Sequence, residues 1–293
     1  MANSPPQTDL KTKHTLVTLN HQVVISTYTD RFVKRMKYDF YKEIYSQLRK
    51  PSDIDHLAKR YGLDRELLLV MYTQRTVRDA TRRFYIVKKD IKKIAREWRK
   101  GVPIVKLARE MNFPPVLLGL LLAPEIGLTR KQFWKYLREN DSCPGGRIKK
   151  EMKQVAEADI IYSPRGAQIQ TERGQWGERR LHDWLDKRDI KYRTEADLRA
   201  THKKTPDCLL AKPIQINGTK VHWIESKASF GDEVELRKNA RRQLKPYTDM
   251  FGTGAVVYWF GFVEGIEPPE GVVLLDGSFF DDCPGEDPGG KRF

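Results

Sequence analysis

The sequence predicts an α + α/β chain, with a basic all-α region built from two helix-turn-helix-like copies and then a smaller domain ordered αβββαβ. Three observations predict it. Apolar residues recur at helical spacing from about Tyr38 to Glu139. Inside that run one pattern of 20 residues occurs twice at an offset of 50. Beyond it, short β-prone runs stand between two helical segments, the order of an α+β or α/β core. At 293 residues, two domains fit better than one, and each can bury a core of its own.

Residues 1–30 are polar and Thr-rich, an extension in which "TLVTLNHQVVIST" reads as strand without an obvious partner. Residues 31–141 form the basic tandem helix-turn-helix region. There "DIDHLAKRYGLDRELLLVMY" (Asp53 to Tyr72) superposes without gaps on "PIVKLAREMNFPPVLLGLLL" (Pro103 to Leu122), with Ile54/Ile104, Leu57/Leu107, Ala58/Ala108, Leu67/Leu117 and Leu68/Leu118 identical. A small residue after the Leu lets two helices cross closely, and Gly62 or Asn112 at the turn accepts positive φ. Any helical hairpin packed on another shares this pattern, so the charge must decide. "ENDSCPGGR" (Glu139 to Arg147) has a linker composition and marks the boundary, and residues 142–171 form a linker with a short helix near 148–159 and an irregular stretch around Pro164 and Gly166. Residues 172–280 hold a helix at 172–187 and strands at 190–197, 206–211 and 220–228. A helix at 233–251 and strands at 255–263 and 271–275 complete them. The tail, 281–293, has the composition of a disordered segment.

Charge is distributed unevenly over the chain. The net charge is +15, but residues 1–150 hold 32 Lys and Arg against 15 Asp and Glu, leaving 22 against 24 for the remainder. A polycationic half joined to a neutral half suggests polyanion binding beside another task. From Arg75 to Lys100 there are 11 basic and three acidic residues. Arg75, Arg78, Arg82, Lys89, Lys93, Arg96 and Lys100 step by helical intervals, so they form one stripe if the segment is helical; phosphate contact is its best explanation. No apolar run approaches a membrane span, and the start lacks the features of a secretory signal. Three cysteines with no CxxC pair argue against a disulfide framework and a structural zinc. An intracellular location is expected, cytoplasmic in a prokaryote and nuclear in a eukaryote.

The second half carries the candidate chemistry. An E-x-K triplet alone means nothing, and Glu151-Met152-Lys153 is a decoy of the same form. Glu225-Ser226-Lys227 differs in lying in a β-prone run, "VHWIESKA", where Glu225 and Lys227 share one face about 7 Å apart while Ile224, Ser226 and Ala228 take the other. Asp207 follows a Thr-Pro turn and stands beside Glu225 if the two strands pair. Two carboxylates meeting on a sheet repel unless a cation lies between them, and hard oxygen donors suit Mg²⁺, with Mn²⁺ as a substitute. A lysine alongside orients the attacking water or stabilises charge on a phosphate.

Pro206-Asp207 with Glu225-Ser226-Lys227 resembles the PD-(D/E)XK nuclease superfamily, and the longer "TPDCLL…HWIESKASFGDE" resembles its group named for the Thr-Pro-Asp motif. The resemblance implies a restriction-endonuclease-like fold, related to archaeal Holliday-junction resolvases, and a DNA endonuclease or structure-specific nuclease. It implies metal held by Asp207, Glu225 and the Ser226 carbonyl, with Lys227 positioning water. Glu178, on the first helix and the same side as Leu181 and Leu185, matches the helix-borne, metal-associated Glu of many members. Gln243 and Tyr247 match the Gln-xxx-Tyr motif of the RecB-like branch. Pro246 departs from it, because a proline inside that helix clashes with the carbonyl of Arg242. Implied partners are DNA, branched or duplex, and in a eukaryote a codanin-like protein; monomer and homodimer are both open. The competing expectation is a non-catalytic module that uses the nuclease fold as a scaffold for DNA or a partner.

Overall fold

The computed structural model describes residues 35–281, together with the backbone of residues 15–19 and 22–26. The expected tail and most of the N-terminal extension lie outside the described residues. The chain forms two compact units, one holding residues 37–177 and 228–230, the other, among the described residues, 15–19, 22–26, 35–36, 178–227 and 231–281. No described helix is long and apolar enough to cross a membrane.

The first unit is helical: α1 (Tyr38–Gln47), α2 (Ser52–Tyr61), α3 (Arg65–Lys89), α4 (Ile91–Arg99), α5 (Ile104–Glu110), α6 (Pro115–Leu122), α7 (Arg130–Arg138), α8 (Gly146–Ala158) and the first part of α9 (Pro164–Asp186). The internal repeat is structural. Gly62 and Asn112, matched at the offset of 50, both take positive φ, at 64° and 46°. Ile54 and Ile104, Leu57 and Leu107, and Leu68 and Leu118 are buried in pairs. The copies diverge downstream, since α3 runs on for 25 residues and α6 stops after 8.

Both helices of the second copy start behind a proline, Pro103 and Pro114, which has no side chain to satisfy the free N–H groups there. Helix α8 and its end supply the acceptors instead. Glu151 takes the Ile104 N–H at 3.0 Å and Asp159 takes the Val116 N–H at 3.0 Å. The E-x-K decoy is therefore a buried structural carboxylate, also bound by Trp98 Nε1 and Arg147. The stretch expected to be irregular is the start of α9, where Ser163 Oγ takes the Gly166 N–H at 3.1 Å and Pro164 suits the first turn. The units accordingly divide at residues 177 and 178, within α9, and not at the Glu139–Arg147 segment.

The second unit is built on a mixed sheet. The unit's strands are β1 (Thr15–Leu19), β2 (Gln22–Ser26), β3 (Arg35–Met36), β4 (Tyr192–Thr194), β5 (Cys208–Ile216), β6 (Thr219–Lys227), β7 (Gly254–Tyr258), β8 (Phe262–Val263) and β9 (Val272–Asp276), of which β3 and β8 pair in a small sheet of their own. The backbones of β1 and β2 pair with each other, and β2 joins β5, which supplies the partner the sequence did not suggest. Strands β4, β5 and β6 pair antiparallel, while β6, β7 and β9 run parallel. Asn217 and Gly218, both at positive φ, make the two-residue turn between β5 and β6. Pro213 falls where the register of that pair shifts, between Leu209 and Ile214, a bulge that tolerates its missing N–H.

Two expected strands are shorter. The one placed at 190–197 stops at Thr194, whose hydroxyl and Asp197 form a capping box that starts α10 (Glu195–Leu198). The one placed at 255–263 divides into β7 and β8 around Gly261, at φ 85°. The helix at 233–251 has the expected ends but three parts: α11 (Glu233–Asn239), one π-helical turn (Ala240–Leu244) and α12 (Lys245–Phe251). Its inner face, Leu236, Leu244 and Tyr247, packs with Trp223, Val256 and Tyr258.

Candidate active site

Pairing of β5 with β6 sets the site. Cys208 lies opposite Ile224, so Asp207, one residue before β5, comes level with Glu225. The Ser226 N–H donates to Asp207 Oδ2 at 2.7 Å, and the Asp207 N–H donates to Glu225 Oε2 at 3.3 Å. Lys227, on the same face two residues on, pairs with Glu225 Oε1. Ile224 is buried on the opposite face, as expected, but Glu225 is buried too, at 1 % exposure, since both faces of β6 are covered here. The Ser226 hydroxyl points away from the carboxylates and accepts from Trp259 Nε1 at 2.7 Å.

Gln243 and Tyr247 join this cluster despite Pro246. Gln243 Nε2 donates to Glu225 Oε1 at 2.9 Å and approaches the Tyr247 hydroxyl at 3.3 Å. Tyr247 donates in turn to the Thr205 carbonyl at 2.8 Å, holding the Thr-Pro-Asp turn. The π-helical turn admits an extra residue just before the proline, so no regular α-helical carbonyl meets its ring. Glu178 behaves differently: it is exposed, so it bears no cost of burial, yet its charge still reaches Asp207. Glu195, at the start of α10, was not singled out by the sequence. Its charge is felt by Glu225 and Tyr247, and it pairs with Arg199 at 3.2 Å.

The electrostatics are those of crowded acids. Burial pushes Asp207 up to about 8, and the Glu225 charge adds to it, partly offset by Lys227. Glu225 is also raised, by burial, against the pull of the Lys227 ammonium. Burial and then the Glu225 charge raise the Tyr247 hydroxyl, which keeps it a donor. Among the described residues no group of three or more His, Cys, Asp or Glu side chains is placed to hold a metal. The donor set nevertheless suits a hard divalent cation as a two-carboxylate site. Asp207 Oδ1 accepts no hydrogen bond among the described residues, and two like charges there are relieved by a cation.

The basic stripe lies in the helical unit and is split. A break at Asp90, between α3 and α4, separates Arg82 and Lys89 from Lys93, Arg96 and Lys100. Arg75 and Arg78 are half-buried and engage Tyr45: Arg75 bonds its carbonyl, Arg78 meets its hydroxyl at 3.4 Å, and both cations lie over its ring. Arg82, Lys89, Lys93, Arg96 and Lys100 are exposed.

Comparison with known proteins adds a family and relatives. Residues 145–278 match a family model described as "Protein of unknown function TPD sequence-motif". CDAN1-interacting nuclease 1 of Mus musculus is 32 % identical over 185 residues, 60 % of this chain and 66 % of that protein. Its counterparts in Danio rerio (34 % over 185 residues) and Homo sapiens (31 % over 172 residues) align over 59 % and 56 % of this chain and 61 % of their own length. The chain thus spans just under two thirds of the length of these curated relatives. No solved structure matches it.

Proposed function

We propose that the chain, whose residues 145–278 match the family model described by a TPD sequence motif, is a metal-dependent DNA nuclease whose helical unit grips the phosphate backbone. The observation that carries the reading is the Asp207–Glu225–Lys227 arrangement on two paired strands, locked by the Ser226 N–H and by Gln243. The relatives named as nucleases support it. Asp207, Glu225 and the Ser226 carbonyl would hold Mg²⁺ or Mn²⁺, which when bound supplies a Lewis acid and lowers the pKa of water.

The protein's own residues do the remainder. Gln243 holds one oxygen of Glu225 in place, and Tyr247 fixes the carbonyl before the Thr-Pro-Asp turn. Lys227 carries a fixed positive charge beside the carboxylates, suited to stabilising negative charge that develops on a phosphate. It is not itself a ligand, since an ammonium has only donors. Arg82, Lys89 and Lys93 are the proposed phosphate contacts, and the repeated helix–turn–helix units their scaffold. A codanin-like partner in a eukaryotic source is proposed on the relatives' names alone.

The test is cleavage of branched, flapped, single-stranded and duplex DNA with Mg²⁺ or Mn²⁺, beside calorimetric titration of the metal. Asp207→Asn and Glu225→Gln are expected to lose cleavage while keeping DNA affinity. Lys227→Met is expected to keep metal binding and lose roughly 100-fold or more in single-turnover rate. Wild-type cleavage by either carboxylate variant overturns the site. One observation favours a second, non-catalytic reading: both oxygens of Glu225 are already engaged, by Lys227, Gln243 and the Asp207 N–H. Metal binding with no cleavage of any DNA in the panel decides for it.

A further inference from the structure

Tyr85 and Ile86, near the C-terminal end of α3, are the two most exposed large hydrophobic residues among those described, at 78 % and 60 %. Single exposed apolar side chains are ordinary, but a tyrosine and an isoleucine side by side in water are harder to dismiss. Their surroundings are cationic. Arg82 and Arg83 precede them and Lys88 and Lys89 follow, all exposed. Arg82 is 3.6 Å from Asp79, whereas Arg83, Lys88 and Lys89 form no ion pair among the described residues. Phe84 meets the Tyr85 ring edge-on, centroids 5.6 Å apart at 87°, and steadies it without covering it.

We propose that Tyr85 and Ile86 are a stacking wedge for unpaired bases, so that the nucleic acid gripped by the helical unit carries single-stranded or unstacked positions. The proposal rests on the nuclease reading above and names the class of substrate that reading leaves open. An aromatic ring on a basic track is the means by which single strands are held without sequence preference, since every base offers a π-face while the cations follow the phosphates. An aliphatic neighbour suits insertion between base steps. Intact duplex covers its base faces except at ends, nicks, flaps and branches, so the wedge selects such places. The same patch fits a protein partner poorly. A stable protein interface needs on the order of 800 Å² per partner with an apolar core depleted in lysine, whereas here two apolar side chains stand among four cations.

The experiment uses the full chain without divalent metal, with Tyr85→Ala, Tyr85→Phe and Ile86→Ala. The probes are a single-stranded oligonucleotide carrying 2-aminopurine and a duplex of equal length closed by hairpins at both ends. The wild type is expected to change the 2-aminopurine emission on binding. Tyr85→Ala should weaken single-strand affinity by roughly 5- to 150-fold, the range for one base stacked on one ring. It should leave the slope of log K against log salt unchanged, because no phosphate contact is lost. Tyr85→Phe should retain the affinity, and no variant should alter binding to the closed duplex. Equal losses on both probes, or none on either, overturn the wedge while leaving the nuclease reading standing. A changed oligomeric state with unchanged DNA affinity makes the patch a self-association surface and overturns it too. Failure of the wild type to bind either probe removes the DNA-binding reading itself.

Discussion

In metal-free protein, the carboxylate site should make stability fall as pH rises, and Asp207→Asn should remove the part of that fall that Asp207 contributes. Burial and the Glu225 charge push Asp207 up to about 8, from an ordinary value of 3.8. An acid with a raised pKa binds its proton more tightly folded than unfolded. Below about pH 4 both states are protonated and nothing is lost. Between about pH 4 and 8 the unfolded chain releases the proton while the folded chain keeps it, so each pH unit favours unfolding. At 1.36 kcal/mol per unit, the interval from 3.8 to about 8 sets a ceiling of about 6 kcal/mol. The realised loss should be smaller, since Asp207 is only partly buried and water screens it. Urea unfolding with chelator from pH 5 to 8.5, followed by tryptophan emission, measures it, Trp223 being fully buried beside the site. Asp207→Asn keeps an oxygen for the Ser226 N–H and has no proton to release. Its stability relative to wild type should therefore climb across the window and level off near pH 8, and Mg²⁺ should narrow the gap by stabilising the wild type alone. A difference that does not change with pH refutes the claim that these acids are mutually strained.

Three further outcomes follow from packing and hydrogen bonding. Gly254→Ala drives a Cβ into Cε2 of Trp223, a ring held by its own bond to the Gly252 carbonyl, and should cost about 3 kcal/mol or more in denaturant unfolding. Tyr247→Phe removes the donor to the Thr205 carbonyl, and the same measurement should show a loss of about 1–2 kcal/mol, with cleavage reduced through a loosened Thr-Pro-Asp turn. Glu151→Ala strands the Ile104 and Trp98 N–H groups and takes the carboxylate partner from Arg147, and should cost about 3 kcal/mol, lowering the thermal midpoint of the helical unit.

Much of the architecture is legible where a local signal is strong. The repeat at an offset of 50 needed only its Leu-Ala pairs and a turn residue to forecast helix, positive φ and helix twice over, and Gly62 and Asn112 deliver it. Period-two alternation put Glu225 and Lys227 on one face, where they pair. The misses have physical causes. Residues 160–171 read as irregular because proline and glycine ordinarily break a helix. Here Pro164 opens a helix and Gly166 is required by close approach: a Cβ there lies 2.5 Å from the Ile160 carbonyl. The strand expected to reach Asp197 stops at Thr194, and the Thr-Glu-Ala-Asp capping box that ends it was open to reading. That box also brings Glu195 towards the acids, a placement set by the chain reversal and not by any motif. Glu178 shows the limit of periodicity: sharing a helical side with Leu181 and Leu185 does not bury a residue one turn nearer the edge of the packed face.

Pro246 is where local rule and tertiary need conflict most openly, and the outcome bears on function. A proline after Gln243 in a regular α-helix clashes with the preceding turn, which would set the Gln and Tyr positions out of line. The helix instead widens into one π-helical turn over Ala240–Leu244, ending two residues before the proline. Such turns are uncommon and occur often at functional sites. This one aims a polar residue at a buried carboxylate: Gln243 reaches Glu225 Oε1 while Leu244, its neighbour, stays fully buried against the sheet. The proline alone already calls for a departure from regular geometry, and the departure taken is one that also serves the carboxylates. Glu225 needs an uncharged donor that holds its orientation without neutralising the site, and an amide meets that need where a second lysine would not.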